Sequence, residues 1–249
     1  MNILVCIKRV PDTTAKIKIA SNNKFIDPQG VEFVINPYDE IAIEEALKLK
    51  EKTGQGEVVV ISIDADGNET ILRKALAMGA DKGILIKTDV NFDGHATADV
   101  LANAIKDIKF DIIFFGKQAV DDDSSQVPSI VASLLNIPRV NVVNKLEING
   151  TKIKAHRQIE GGEEVYELEM PAIISAQKGL NEPRYPSLKG IMAAKKKPID
   201  TKEAQTIKQT IEIIKMDYPP QRPAGRIVGK GVEAVPELIK LLKEEAKIL

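Results

Sequence analysis

Roughly the first 140 residues alternate short apolar runs with helix-like stretches. The runs cover residues 3–7, 58–63, 83–86 and 111–115, and the helical patterns cover residues 37–52, 69–78, 97–106 and 124–135. Because each run is short, unalternating and rich in Val, Ile or Phe, it predicts a strand covered on both faces. Alternation of strands and helices favours right-handed crossovers and a parallel sheet. The pattern therefore predicts an α/β fold with an open, doubly wound, mostly parallel sheet of the Rossmann-like type.

The pattern changes after about residue 140. Asn149-Gly150 lies between two alternating segments, which is a strong hairpin signal, and Gly161-Gly162 is a second candidate turn. We therefore expect antiparallel strands to extend the sheet through about Ala176. Residues 179–191 are polar and contain two prolines, which predicts a long loop. Such loops are usually functional or disordered.

A proline-rich stretch at residues 218–225 precedes a last helical pattern that starts at Pro236. One side of this helix is apolar and carries Leu238, Leu241, Leu242 and Ile248. We divide the chain into an α/β nucleotide-binding domain, residues 1–190, and an extended C-terminal arm, residues 191–249. The helix of the arm needs a surface to dock on, either its own domain or another chain.

Composition and charge narrow the classes of function. The chain has 249 residues, and 35 Lys and Arg against 36 Asp and Glu give a net charge of −1. This balance does not favour nucleic acid or an acidic membrane as a partner. A single cysteine, Cys6, excludes an internal disulfide and a thiolate metal cluster within one chain. No apolar run approaches the about 18 residues of a membrane span, and no signal peptide is evident, so we expect a soluble, cytoplasmic protein without membrane insertion.

The segment Asn36-Pro37-Tyr38-Asp39 has the composition of a helix start. Asn36 can cap the helix, Pro37 suits its first position, and Asp39 lies at the positive end of the helix dipole. Plain capping accounts for these residues. The functional alternative is a ligand that lies across this helix start at the carboxyl edge of the sheet, where open α/β folds bind ligands.

A polar loop at residues 116–126 follows an apolar run and precedes a helical pattern. It contains Asp121, Asp122, Asp123, Ser124, Ser125 and Gln126. The three acids could bind Mg²⁺, although such runs are more typical of a solvated loop, and we predict no metal site. The three residues after them could present hydroxyls, a side-chain amide and backbone amides to a phosphate. The acids would then hold the loop or contact sugar hydroxyls.

Several common motifs are missing from the sequence. No G-x-G-x-x-G follows the first apolar run, and Gly229-Lys230 lacks the Ser or Thr of a Walker A loop. His95 and His156 are the only histidines, and no nucleophile–base pair is apparent. We therefore predict a protein that binds a nucleotide and has no catalytic residues. A stand-alone, stress-type ATP-binding protein is an alternative from another class, but it would need a Gly-rich phosphate loop.

The chain resembles the β subunits of electron transfer flavoproteins. The matching motifs follow the order of that family along nearly the whole chain, and they lie at residues 8–12, 36–46, 75–81, 116–123, 180–188, 195–197 and 219–225. The resemblance implies a heterodimer in which the α subunit holds most of the FAD. It implies an electron carrier that accepts electrons from acyl-CoA dehydrogenases and other flavin dehydrogenases and passes them, transiently, to a membrane-bound quinone oxidoreductase. In a eukaryote, the compartment would be the mitochondrial matrix.

The resemblance also implies that this chain binds one structural AMP. Carried over by motif, the AMP contacts would be Cys6, Asn36, Pro37, Tyr38, Asp39, Ile63, Asp121, Asp122, Asp123, Ser124, Ser125, Gln126, Val127 and Ala132. Val127 and Pro128 differ from the hydroxyl-bearing residue and glycine that relatives often have there. Because Pro128 offers no amide, phosphate contacts would depend on the Ser124–Gln126 part of the loop.

A recognition segment, about residues 178–197, is implied as the contact with the donor dehydrogenase. Its implied partner-recognition residues are Asn181, Glu182, Pro183, Arg184, Tyr185, Leu188, Lys195, Lys196 and Lys197. Leu188 corresponds to a leucine that anchors in the dehydrogenase. An exposed leucine among polar residues and lysines fits a binding hot spot within a polar rim.

One branch of the family bifurcates electrons and holds a second FAD in place of AMP. Its acidic loop resembles Asp-Gly-Asp, whereas here Asp122 replaces the glycine, which would crowd a diphosphate and favours AMP. Residues 93–98 are nevertheless similar to the pattern of that branch. A second FAD therefore stays as the alternative to AMP.

Overall fold

The computed structural model describes residues 1–65, 68–88, 92–205, 209–221 and 224–249. Among these residues, eleven strands and six α-helices are found. The strands are β1 (Asn2–Cys6), β2 (Arg9–Pro11), β3 (Phe33–Ile35), β4 (Glu57–Asp64), β5 (Lys82–Lys87), β6 (Ile112–Gly116), β7 (Arg139–Asn149), β8 (Lys152–Ile159), β9 (Gly162–Glu169), β10 (Ala172–Ala176) and β11 (Ile199–Glu203). The helices are α1 (Pro37–Thr53), α2 (Thr70–Met78), α3 (Gly94–Ile105), α4 (Val127–Leu135), α5 (Leu188–Ala194) and α6 (Val235–Glu244).

Within the described chain, nine strands form one sheet in the order β11-β5-β4-β1-β6-β10-β7-β8-β9, and β2 and β3 form a small antiparallel pair. All strands from β11 to β7 run parallel. The chain adds β4 and β5 on one side of β1 and later places β6 on the other side. This change of direction makes a topological switch point between β1 and β6. The predicted doubly wound α/β fold is confirmed.

Helices cover both faces of the sheet, which explains the unalternating apolar runs. Ile3 and Val5 of β1 belong to the core under α1 and α2. Leu4 and Cys6, which point the other way, belong to the core under α3 and α4. Since successive side chains of a strand point to opposite faces, both sets are apolar only when both faces are buried.

The direction of β10 differs from the prediction. We expected antiparallel strands through Ala176, but β10 runs parallel to β6 on one side and to β7 on the other. Every residue of β10 is buried, so its run of small and branched side chains is that of a central parallel strand. The antiparallel extension is limited to β7, β8 and β9.

Both predicted hairpins are present. In the first, Asn149 pairs with Lys152, so the two loop residues are Gly150 and Thr151. Gly150 has a φ of 61°, as the first loop position of a tight hairpin requires. In the second, Ile159 pairs with Gly162 around a loop that contains Gly161.

Several element boundaries differ from the predictions. Helix α3 begins three residues early because the Asp93 side chain accepts a hydrogen bond from the Ala96 amide and caps it. The predicted long loop at residues 179–191 contains the start of α5, and β11 adds an edge strand beside β5 that the pattern did not reveal. The predicted C-terminal helix is present as α6, and none of its residues is buried. Among the described residues, none of the helices is both long enough and apolar enough to span a bilayer.

Asp81 ties three elements together at the amino edge of the sheet. Its carboxylate accepts hydrogen bonds from Lys50 Nζ at 2.6 and 2.7 Å and from the Val58 amide at 2.8 Å. Asp81 thus links the end of α1 to the starts of β4 and β5.

We expect Asp81→Ala to lower the free energy of unfolding by about 2 kcal/mol, because a charged acceptor with two kinds of donor is lost. Asp81→Asn keeps an oxygen acceptor and should cost about half as much. Urea unfolding followed by circular dichroism measures both. Equal stability of wild type and Asp81→Ala would contradict this role.

Candidate functional site

The carboxyl ends of β1, β4 and β6 meet at the switch point of the sheet. Cys6 and Ala132 are buried in the core under α3 and α4, and Ile63 and Val127 pack against that same core. These four predicted nucleotide contacts therefore share one face of the sheet. Burial raises the pKa of the Cys6 thiol well above its usual value, and the Asp39 charge raises it further, so Cys6 serves as an apolar wall residue.

Asn36 has a different role from the one predicted. Its side chain caps no amide of α1. Instead, Asn36 Nδ2 donates to the Gln118 carbonyl at 2.8 Å, and its Oδ1 accepts from the Val120 amide at 3.2 Å. Because Asn36 is 1% exposed, the side chain acts as a buried cross-link between the start of α1 and the loop after β6.

Asp39 completes this cross-link from within the first turn of α1. Its carboxylate accepts the Lys8 amide at 2.7 Å, the Gly116 amide at 2.9 Å and Asn36 Nδ2 at 3.0 Å. Asp39 therefore joins the chain after β1 to the end of β6. Burial raises the pKa of Asp39 to about 7, although the three donors and the charge of Lys8 act in the opposite direction.

Two glycines let neighbouring side chains approach the backbone closely at this edge of the sheet. A Cβ on Gly116 would lie 2.3 Å from Asp39 Oδ1 and 2.7 Å from Tyr38 Cβ. A Cβ on Gly94, at the start of α3, would lie 2.2 Å from Gln126 Nε2. Sequence reasoning gave neither glycine a role, because their need depends on neighbours far away along the chain.

Tyr38 and Pro37 lie apart from the four wall residues. Tyr38 is half-buried against the core under α1 and α2, and Lys117 Nζ lies 5.0 Å from the centre of its ring. Pro37 is exposed at the first position of α1. The predicted set thus surrounds the edge of the sheet from both faces.

The acidic loop is held by a lysine that sequence reasoning left without a role. Lys8 Nζ lies 2.8 Å from Asp121 Oδ1 and 3.1 Å from Asp122 Oδ2. Asp122 also accepts the Ser124 amide at 3.0 Å, and Asp123 accepts the Gln118 side-chain amide. A charged residue directly after a central strand is the signal that could have identified Lys8. Across the described residues, no three His, Cys, Asp or Glu side chains are grouped as a metal site.

Helix α4 begins three residues later than predicted, at Val127. The chain before it takes left-handed conformations at Asp123 and Ser125, with φ of 52° and 53°, which cannot continue a helix. Within the described chain, the backbone amides of Ser125, Gln126 and Val127 have no hydrogen-bond partner. Three successive free amides at a helix start form a cradle suited to an anion such as a phosphate. Pro128 is buried at the second position of α4.

Asp93 connects the C-terminal arm to the start of α3. Besides the Ala96 amide, its carboxylate accepts the amides of Thr210 at 2.6 Å and Ile211 at 2.8 Å. Burial opposes ionisation here, but these hydrogen bonds outweigh it and lower the pKa of Asp93 to about 2. The arm therefore crosses the fold beside the loop that carries Gln126.

The recognition segment separates into inward and outward side chains. Arg184 is turned toward Glu44 and Glu51 of α1, and Lys197 toward carbonyls at the end of α2. Burial lowers the pKa of Lys197. Asn181 also faces the fold, because its side-chain amide donates to the Ile41 carbonyl and to Glu45. The remaining predicted contacts lie at or near the surface: Glu182, Pro183, Tyr185, Leu188, Lys195 and Lys196. Tyr185 and Leu188 are 95% and 84% exposed.

A family model and individual similar proteins carry the same family description. A family model described as the electron transfer flavoprotein domain matches residues 24–207. Relatives named electron transfer flavoprotein subunit beta are 44% identical in Syntrophomonas wolfei, 42% in Bacillus subtilis and 37% in Mus musculus. Each similarity covers 100% of this chain and at least 98% of the relative.

Stability should depend on pH through Asp39. Its pKa in the folded protein lies above the usual value of about 4, so the folded state retains a proton that the unfolded state releases. The free energy of unfolding should therefore fall as the pH rises from about 4 to about 8, by at most about 4 kcal/mol from this group. The difference between wild type and Asp39→Asn isolates the effect, and Asp107→Asn, at an exposed carboxylate, serves as control. Parallel pH profiles of wild type and Asp39→Asn would refute it.

Proposed function

Because the chain belongs to the electron transfer flavoprotein family, along the whole length of its β subunits, we propose that it forms the β half of a heterodimeric electron carrier. Its partner is an α subunit that holds most of one FAD. The carrier accepts electrons from acyl-CoA dehydrogenases or other flavin dehydrogenases and passes them to a quinone oxidoreductase. The flavin supplies the redox chemistry, and this chain supplies binding and shape.

The full-length similarity to β subunits carries this proposal. An unburied amphipathic helix supports the heterodimer, because α6 exposes Val235, Leu238 and Ile239 by more than 40% each. Apolar side chains grouped in this way are typical of a surface that another protein covers. The α subunit is the partner that the family provides.

We further propose that the switch-point edge binds one AMP. The free amides of Ser125, Gln126 and Val127 would receive the phosphate, and Cys6, Ile63 and Ala132 would form the apolar wall beside the base. Support comes from the convergence of an anion cradle and an apolar wall at the place where open α/β sheets bind nucleotides.

The acidic loop favours a monophosphate over the diphosphate of a second FAD. Asp122 stands where the bifurcating branch has a glycine, and its side chain is held by Lys8 and by the Ser124 amide, so it would crowd a diphosphate. Asp93, in the segment similar to the bifurcating branch, is occupied by the cap of α3 and by the arm. A second FAD remains the alternative.

Native mass spectrometry of the protein isolated from its source, followed by acid release of bound nucleotides, tests both proposals. We expect a heterodimer with one FAD and one AMP. Two FADs and no AMP would replace the AMP proposal with the bifurcating alternative. A lone chain that carries ATP, or nothing, would overturn the carrier.

Leu188 should act as the contact with the donor dehydrogenase. We expect Leu188→Ala to slow reduction of the heterodimer by an acyl-CoA dehydrogenase by about tenfold or more, while FAD content stays the same. Ile159→Ala, at a partly exposed residue of β8, is the control. Unchanged reduction kinetics in Leu188→Ala would contradict this assignment.

A further inference from the structure

The recognition segment is fastened to the fold at its N-terminal side by Arg184. The guanidinium donates from Nε to Glu44 Oε2 at 2.8 Å and from Nη2 to Glu44 Oε1 at 3.0 Å. It also donates from Nη1 to Glu51 Oε1 at 2.5 Å and from Nη2 to Glu51 Oε2 at 3.1 Å. The planar fork of arginine thus engages two carboxylates two turns apart on α1, which lysine cannot reproduce.

Backbone and amide contacts extend this attachment. The Arg184 amide itself donates to Glu44 Oε2 at 3.1 Å, and Glu44 has only 4% of its side chain exposed. Asn181 Nδ2 donates to the Ile41 carbonyl at 3.1 Å and to Glu45 Oε2 at 2.9 Å. The segment therefore enters α5 from a base that is fixed on α1.

The middle of the segment lies directly against the backbone of α2. A Cβ on Gly190 would lie 2.4 Å from the Ala77 carbonyl oxygen, so this close contact needs glycine. Ser187 caps α5 by accepting the Gly190 amide at 3.0 Å. Helix α5 has seven residues, and a helix this short requires tertiary contacts to persist.

At the C-terminal side, α2 and α5 cap each other. Arg73 Nη1 of α2 donates to the carbonyls of Ala194 at 3.0 Å and Lys197 at 2.8 Å. In return, Lys197 Nζ donates to the carbonyls of Leu76 at 3.0 Å and Ala80 at 2.5 Å. Two of these four carbonyls, those of Leu76 and Ala194, lie in the last turns of α2 and α5, so the cationic side chains help to cap both helices.

Apolar side chains between these attachments point outward. Tyr185 is 95% exposed, Leu188 84% and Met192 63%. Leu188 and Met192 are four residues apart and so lie on one face of α5. Their spacing is fixed by a helix that the contacts of Arg184, Gly190 and Arg73 hold in place.

We propose that Arg184 is a positioning residue, which holds the recognition segment in one conformation before a protein donor binds. Arg184 itself faces the fold, and the side chains that it positions meet the partner. A partner then binds a surface that is already ordered, so less conformational entropy is lost on association. This inference rests on the proposed function as an electron carrier.

The test uses the heterodimer with its bound FAD and compares two reductants. An acyl-CoA dehydrogenase reduced by its substrate needs the recognition segment, whereas dithionite does not. If Arg184→Ala leaves the ordered conformation populated in about one molecule in ten, the KM for the dehydrogenase rises about tenfold. The kcat should stay within about twofold, and Arg184→Lys should recover part of the loss because it can pair with one glutamate.

Two further variants separate positioning from folding. Glu44→Gln combined with Arg184→Ala removes the buried charge left unpaired, so it should fold as wild type yet keep the raised KM. Arg139→Ala removes an exposed arginine at the start of β7 and should behave as wild type. Hydrogen exchange of residues 185–196 should be faster in Arg184→Ala and in the double variant than in Arg139→Ala.

The outcomes distinguish a failure of this inference from a failure of the proposed function on which it rests. A wild-type protein without FAD, or with FAD that no flavin dehydrogenase reduces, overturns the proposed function, and the inference with it. A functional wild type with unchanged KM and unchanged exchange in the double variant overturns the inference alone. A lowered kcat with unchanged KM would also overturn it.

Discussion

The carboxylate of Asp39 joins the chain after β1, the first turn of α1 and the end of β6 at the point where the sheet changes direction. Its three donors lie up to 77 residues away from Asp39 in sequence. Asn36 extends this link to the loop after β6, so the position of the acidic loop follows from two buried side chains. This cross-link fixes where the loop leaves the sheet on its way to α4.

Helix α1 also holds the recognition segment in place. Helix α1 presents Asp39 to the sheet edge and, further along, Glu44, Glu45 and Glu51 to the segment. One helix therefore contacts both the candidate nucleotide site and the segment proposed to meet a protein partner. A change in the packing of α1 would reach both places through direct contacts, without any change in the residues that touch a ligand.

Sequence reasoning identified the central strands because burial on both faces leaves a local signature, the unbroken apolar run. It failed where the deciding contact is distant. Asn36 has the residue type of a cap, but its side chain bonds instead to the loop after β6, which is close in space and distant in sequence. Helix α5 forms in a predicted loop because Arg73 and Arg184 stabilise it from outside the helix. The direction of β10 depends on the path of the chain, which no local pattern records.

Both α5 and α6 expose apolar side chains, and each helix loses conformational entropy when it becomes ordered. On α5, Leu188 projects from a helix that charged and backbone contacts hold in place, so contacts within the chain offset the conformational entropy lost on ordering. Helix α6 buries none of its residues and has no comparable attachment among the described contacts. The first arrangement suits brief encounters that must begin and end quickly. The second suits a permanent subunit interface, where folding and assembly can be one event.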